Sequence, residues 1–132
     1  MPALGDLEVQ VMRRVWARRD PVTVRDVLGD LQADRNIAYT TVMTVMGNLE
    51  RKGWLRRQAE GRAYRYEPLV SAEEYSASLM RQALEAATDR SAVLMHFIDD
   101  LSADEARALE EAYRRLTRQS GSAASANRES RR

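Results

Sequence analysis

The sequence predicts a mainly α fold, with one β-hairpin set between two groups of three helices. Three observations lead there. Apolar residues recur at helical spacing through most of the chain. The period changes to alternation only between Trp54 and Glu67. A Ser or Thr followed three positions later by an acid, the mark of a helix start, precedes three of the six helical segments.

Leu7, Val11, Val15 and Trp16 give the first helix, roughly 6–19, begun by Gly5 or Asp6 and broken by Pro21. Thr23 with Asp26 opens a second helix through about 33, whose inward stripe is Val24, Val27, Leu28 and Leu31. "ADRNI" is a polar turn of the length that joins two helices. Ala38 or Tyr39 then starts a third helix with Val42, Val45, Met46 and Leu49 on one face, ending near Lys52 with Gly53 as its stop. In "WLRRQ" and "AYRYE", Tyr64 and Tyr66 share one strand face and Arg65 takes the other, with Gly61 supplying the turn. Ser71 and Glu74 open a fourth helix reaching about 88, Asp89 or Ser91 a fifth, and Ser102 with Glu105 a sixth running to about 118. The fifth is apolar nearly all round, which calls for burial on several sides. Pairing of two chains would supply that burial, and folding back onto the first helices is the alternative. The last stretch, "RQSGSAASANRESRR", is small, polar and aperiodic, and reads as a disordered tail.

Three helices followed by a basic hairpin is the layout of a winged helix-turn-helix, in which the third helix enters the major groove and the hairpin follows the sugar-phosphate backbone. The expected organisation is a winged helix-turn-helix DNA-binding domain over 1–70, a helical dimerisation domain over 71–118, and the tail over 119–132. Charge agrees with this division: residues 1–70 carry 12 Arg/Lys against 9 Asp/Glu, and residues 71–118 carry 6 against 10. Within the first part, Arg51, Lys52, Arg56, Arg57, Arg62 and Arg65 face Glu60 alone over residues 51–66, a footprint for a polyanion or simply a solvated basic surface.

The third helix carries threonines at 40, 41 and 44, mediocre helix formers on a face where Glu, Lys and Gln would be ordinary. Short side chains let a helix approach a groove floor closely, and a threonine offers base edges both a hydroxyl and a methyl. Tyr39, Thr40, Met43, Thr44 and Gly47 are therefore the candidates for base contact. Thr41, Asn48, Arg51, Arg56, Arg62 and Arg65 are the candidates for the DNA backbone. Trp16, Trp54, Tyr64 and Tyr66 are expected in the core. Candidates for a dimer interface are Tyr75, Leu79, Leu94, Phe97, Ile98, Leu109, Tyr113 and Leu116.

Enzymatic chemistry finds little to work with. The chain has no cysteine, and its single histidine, His96, lies in the most apolar helix. No catalytic set, metal cluster or phosphate-cradling glycine motif occurs, so neither a cofactor nor a metal is expected. No apolar run is long enough to span a bilayer, and "MPALGDLE" is no secretory signal, so a cytoplasmic protein is expected. Two other uses of the same architecture stay open: release from DNA by a small-molecule effector, and a winged-helix module for protein–protein contact.

The motifs "LGDLEVQVMRRVW", "TVRDV", "AYTTVMTVMGNLERKGWL", "GRAYRYEP" and "SAVLMHFIDDLSADEARALEEAYRRL" together make the chain resemble the penicillinase-repressor (BlaI/MecI-like) family of bacterial transcriptional regulators, from Leu4 to about Arg118. The resemblance implies a homodimeric repressor on a palindromic operator, with an antibiotic-resistance setting. Two departures stand out. A copper-responsive branch carries a cysteine pair, which is absent here. Antibiotic-responsive members are cut by a membrane-bound sensor protease at an Asn–Phe bond in the fifth helix, and the equivalent position here is His96–Phe97.

Overall fold

The computed structural model describes residues 3–130, with side chains through Gly121. Its elements run α1 (Asp6–Ala17), α2 (Val24–Gln32), α3 (Tyr39–Arg51), β1 (Leu55–Glu60), β2 (Ala63–Pro68), α4 (Ala72–Ala86), α5 (Arg90–Asp99) and α6 (Ala103–Ser130). The chain divides into two compact units between Gln82 and Ala83.

Local chemistry fixes the helix starts. The Asp26 amide donates to Thr23 Oγ1 at 3.1 Å while the Thr23 amide donates to Asp26 Oδ2 at 3.0 Å. The same reciprocal pair joins Ser71 to Glu74 ahead of α4, and Ser102 to Glu105 ahead of α6. Asp89 accepts from the Ala92 amide at 3.1 Å to start α5. Each box satisfies amides that a helix end leaves without an intrahelical partner.

In the first unit, α1, α2 and α3 close around Val11, Met12, Val15, Val27, Leu31, Val42, Met46 and Leu49. Trp54 and Leu55, at the entry to β1, and Tyr66 of β2 seal the same core. Leu49 is fully buried, so trimming it to alanine would cost about 2–5 kcal/mol. β1 and β2 pair antiparallel with Leu55 opposite Pro68 and Glu60 opposite Ala63, leaving a loop of only Gly61 and Arg62. Gly61 has φ +63° while no other residue type takes a positive φ, the II′ pattern with glycine at the first loop position. A bridge between Val22 and Tyr66 lays a third short edge beside β2, through bonds of 2.9 and 2.7 Å. Helices α1–α3 with this sheet form a winged helix-turn-helix.

Three expectations are corrected here. Tyr75 was expected at a dimer interface, but its ring sits 5.6 Å from Trp16 and meets Trp54 edge-on at 5.7 Å, so it packs within its own chain. Tyr64 was expected in the core and is instead 46% exposed, because the hairpin extends past the core beyond Tyr66. The fifth helix, whose burial was expected from pairing of two chains or from folding back, leaves Val93, Leu94, Met95, Phe97 and Ile98 exposed in the single chain. Finally, α6 continues to Ser130 where a disordered tail was expected from 119. That stretch has no proline to break the helix, and its glycine, Gly121, weakens it by about 1 kcal/mol. Residues 131 and 132 of that tail lie outside the described residues.

Candidate nucleic-acid interface

Helix α3 buries Val42, Met46 and Leu49. The opposite face is set by the same periodicity: Thr40, Thr44, Gly47 and Arg51 stand at i, i+4, i+7 and i+11. Tyr39 and Met43 flank this stripe on one side, Thr41 and Asn48 on the other. Tyr39, Thr40, Thr41, Met43, Thr44 and Arg51 are exposed, and Gly47 and Asn48 are half-buried. At 1.5 Å per residue the stripe is about 16 Å long, enough to cross a major groove of about 12 Å. A Cβ placed at Gly47 would meet nothing of the surrounding chain within 4 Å. No packing within the protein therefore demands glycine there.

The start of α3 differs from those of α2, α4, α5 and α6, where a side-chain oxygen accepts from a first-turn amide. Its N-cap is Ala38, whose side chain makes no capping bond. The first-turn amides beside Tyr39 and Thr41 are thus without a side-chain acceptor, the arrangement that suits a phosphate oxygen. Arg25 of α2 lies over the Tyr39 ring at 5.4 Å and adds a positive charge to this end.

The structure redistributes the basic footprint. Lys52 donates to Glu8 Oε1 at 2.7 Å, Arg56 pairs with Glu67, Arg57 with Glu50 at 3.3 Å, and Arg65 with Glu60. Arg65 also donates to the Pro21 carbonyl at 3.2 Å. Of the six cations in residues 51–66, Arg51 and Arg62 alone lack a carboxylate partner among the described residues. Arg51 donates to the Asn48 side-chain oxygen, so these two expected backbone contacts form one unit on the last turn of α3. Arg62 follows Gly61 at the exposed hairpin tip. Burial pushes the Glu8 carboxyl up, but the Lys52 and Gly5 hydrogen bonds and the Lys52 charge outweigh it and hold the group below the usual range.

Register explains which hairpin arginines point where. Directly paired residues share a sheet face, so Arg56, Arg65 and Glu67 lie on one side, and Leu55, Arg57, Tyr64 and Tyr66 lie on the other. The second side is the one that carries the core residues packed under α3. Sequence reading missed Arg57, although its parity with Leu55 and Tyr66 was a usable signal. It also missed Arg25, the single cation of α2, placed in a first turn where the helix dipole disfavours it.

In the second unit Leu94, Phe97, Ile98, Leu109, Tyr113 and Leu116 are all exposed, as is Leu79 at the end of the first unit. His96 is exposed on α5 beside Phe97. Among the described residues no group of metal-ligating side chains assembles, and no helix is long and apolar enough to cross a membrane.

The penicillinase repressor family model matches residues 4–115. The transcriptional regulator BlaI of Mycobacterium tuberculosis is 46% identical over 116 residues, covering 86% of this chain and 84% of that protein. The penicillinase repressor of Bacillus licheniformis is 27% identical over 75 residues, 57% of this chain and 58% of that protein. Among solved structures, the DNA-binding domain of the repressor BlaI matches with a TM-score of 0.50 and 27% identity, over 56% of this chain and 89% of that domain. These relatives are named as regulators and repressors rather than enzymes. On the extent of the family match and the identity to the mycobacterial regulator, the chain belongs to the penicillinase repressor family.

Proposed function

We propose that the chain is a sequence-specific repressor that binds a palindromic operator as a homodimer, each copy laying α3 in one major groove. The observation that carries this is the outward stripe on α3: short-sided at Thr40, Thr44 and Gly47, closed by Arg51, and of groove-crossing length. The uncapped start of α3 and the unpaired Arg62 at the hairpin tip support phosphate contacts at its two margins. A related BlaI domain is described as DNA-binding, and two relatives are named as a transcriptional regulator and a repressor.

Residues 1–70 do the binding in this reading, and residues 71–118 join two copies. The apolar surface of α5 and α6, with Leu94, Phe97, Ile98, Leu109, Tyr113 and Leu116, is what a second chain covers, since so many exposed apolar side chains are costly to leave in water. Release follows cutting at His96–Phe97 by a membrane-bound sensor protease, which separates the joining helices from the binding domain.

Genome-wide mapping of bound DNA, followed by anisotropy titration of the recovered duplex at several salt concentrations, tests the binding. Sedimentation tests the dimer. A monomer with no preference for the recovered duplex over random DNA overturns the proposal. Intact-mass analysis of the protein from challenged cells tests release, a fragment ending at His96 being the expected product.

A further inference from the structure

We infer that Arg57 is a positioning residue that braces the hairpin against α3 and so sets where Arg62 reaches the DNA backbone. The inference rests on the DNA-binding reading above. Its basis is one side chain held from two elements: Arg57 Nε lies 3.3 Å from Glu50 Oε1 in the last turn of α3, and its guanidinium stands 4.4 Å from the centre of the Tyr64 ring on β2.

Each partner needs explaining, and the brace explains both. Glu50 is a carboxylate near the C-terminal end of a helix, where the dipole disfavours it. It also stands beside the face that would meet phosphates, where it repels them. Tyr64 is a large ring left exposed beyond the core. Arg57 neutralises the first and stacks on the second, so the outer half of the hairpin is tied to the recognition helix rather than to the core alone. Between Gln58 and Tyr64 every side chain is exposed, and the hairpin's inward anchors, Leu55 and Tyr66, are at its base. Without Arg57 the tip that carries Arg62 swings on that base. Both members of the ion pair are partly solvated, so the pair adds little to stability, and its removal leaves the fold intact.

Electrostatics alone and the brace predict opposite outcomes for one substitution. Removing the Glu50 charge brings the protein closer to a polyanion's preference, so Glu50→Gln strengthens DNA binding if Glu50 is merely a nearby charge. If Glu50 anchors Arg57, Glu50→Gln weakens it. Anisotropy titrations on the duplex recovered by mapping, with thermal melts alongside, compare wild type, Arg57→Gln, Glu50→Gln and Tyr64→Leu, each with and without Arg62→Ala. The expected result is a loss of roughly three- to tenfold for Arg57→Gln and for Glu50→Gln at unchanged melting midpoint, with the penalty for Arg62→Ala shrinking in both backgrounds. Tighter binding by Glu50→Gln, or an Arg62→Ala penalty equal in all backgrounds, overturns the brace while leaving DNA binding in place. A wild-type protein that binds no duplex overturns both.

Discussion

The Thr44 hydroxyl donates to the carbonyl oxygen of Thr40, 2.9 Å away and one turn earlier on α3. Its proton is thereby committed to its own helix. What Thr44 presents outward is a methyl group and hydroxyl lone pairs, which suit a thymine methyl or an exocyclic amino group of adenine or cytosine. Thr44→Ala should lower discrimination between operator and random duplex by about 1–3 kcal/mol. Thr44→Val keeps the methyl and removes the acceptor, so comparing the two by competition titration separates the contributions. Equal losses on both DNAs would assign Thr44 to the backbone.

Arg62→Ala should weaken operator and random DNA alike and reduce the slope of log affinity against log salt by about 1 per subunit. Arg56→Ala should change that slope less, because its guanidinium already carries Glu67. Titrations over a range of potassium chloride concentrations check both.

Gly47→Ala should pull stability and binding apart. The site has room for a methyl group, and alanine improves a helix position by about 1 kcal/mol over glycine, so the melting midpoint rises. The same methyl enters the stripe proposed to meet the groove floor, so operator affinity should fall. A variant both more stable and equally tight would remove close approach as the reason for glycine.

Acid should destabilise the protein through its paired carboxylates. The Thr23 amide hydrogen bond holds the Asp26 carboxyl below its ordinary range, the Arg18 hydrogen bond does so for Asp30, and the Ser102 amide for Glu105. A folded-state pKa below the unfolded one adds stability that is complete above the unfolded value and is lost as pH falls through the folded one. Melting midpoints should therefore hold steady from neutral pH to about pH 5 and decline below the ordinary carboxylate range. Asp26→Asn should lower the neutral-pH midpoint and make the acid decline shallower.

Phe97→Asp, with Leu109→Asp as a second variant, should convert the proposed dimer to monomer in sedimentation and weaken operator binding without altering base preference. A dimer that persists in both variants would place the joining surface elsewhere.

The parts of this architecture readable from sequence are those fixed within a few residues. Thr23 with Asp26, Ser71 with Glu74 and Ser102 with Glu105 announce helix starts because both partners of each box lie in one turn. The inward stripe of α3 and the opposite parity of Tyr64 and Arg65 follow from local periods. Partners distant in sequence were not readable. Nothing around Lys52 points to Glu8, and nothing around Arg65 points to the Pro21 carbonyl, yet these bonds decide which cations stay available. Tyr75 failed for the same reason: helical spacing says that a ring faces inward, but not whether Trp16 and Trp54 or a second chain receives it. Gly61 marks the hairpin turn in the sequence, but its two-residue length depends on pairing across the strands.

Alanine at position 38 carries a consequence for how the protein would respond to improvement. Aspartate or serine there would occupy the leading amides of α3 with an oxygen of the protein's own, steadying the unbound molecule. That oxygen would also be a permanent intramolecular competitor for the donors a phosphate needs. Selection for a sturdier fold and selection for grip on DNA thus pull this position in opposite directions.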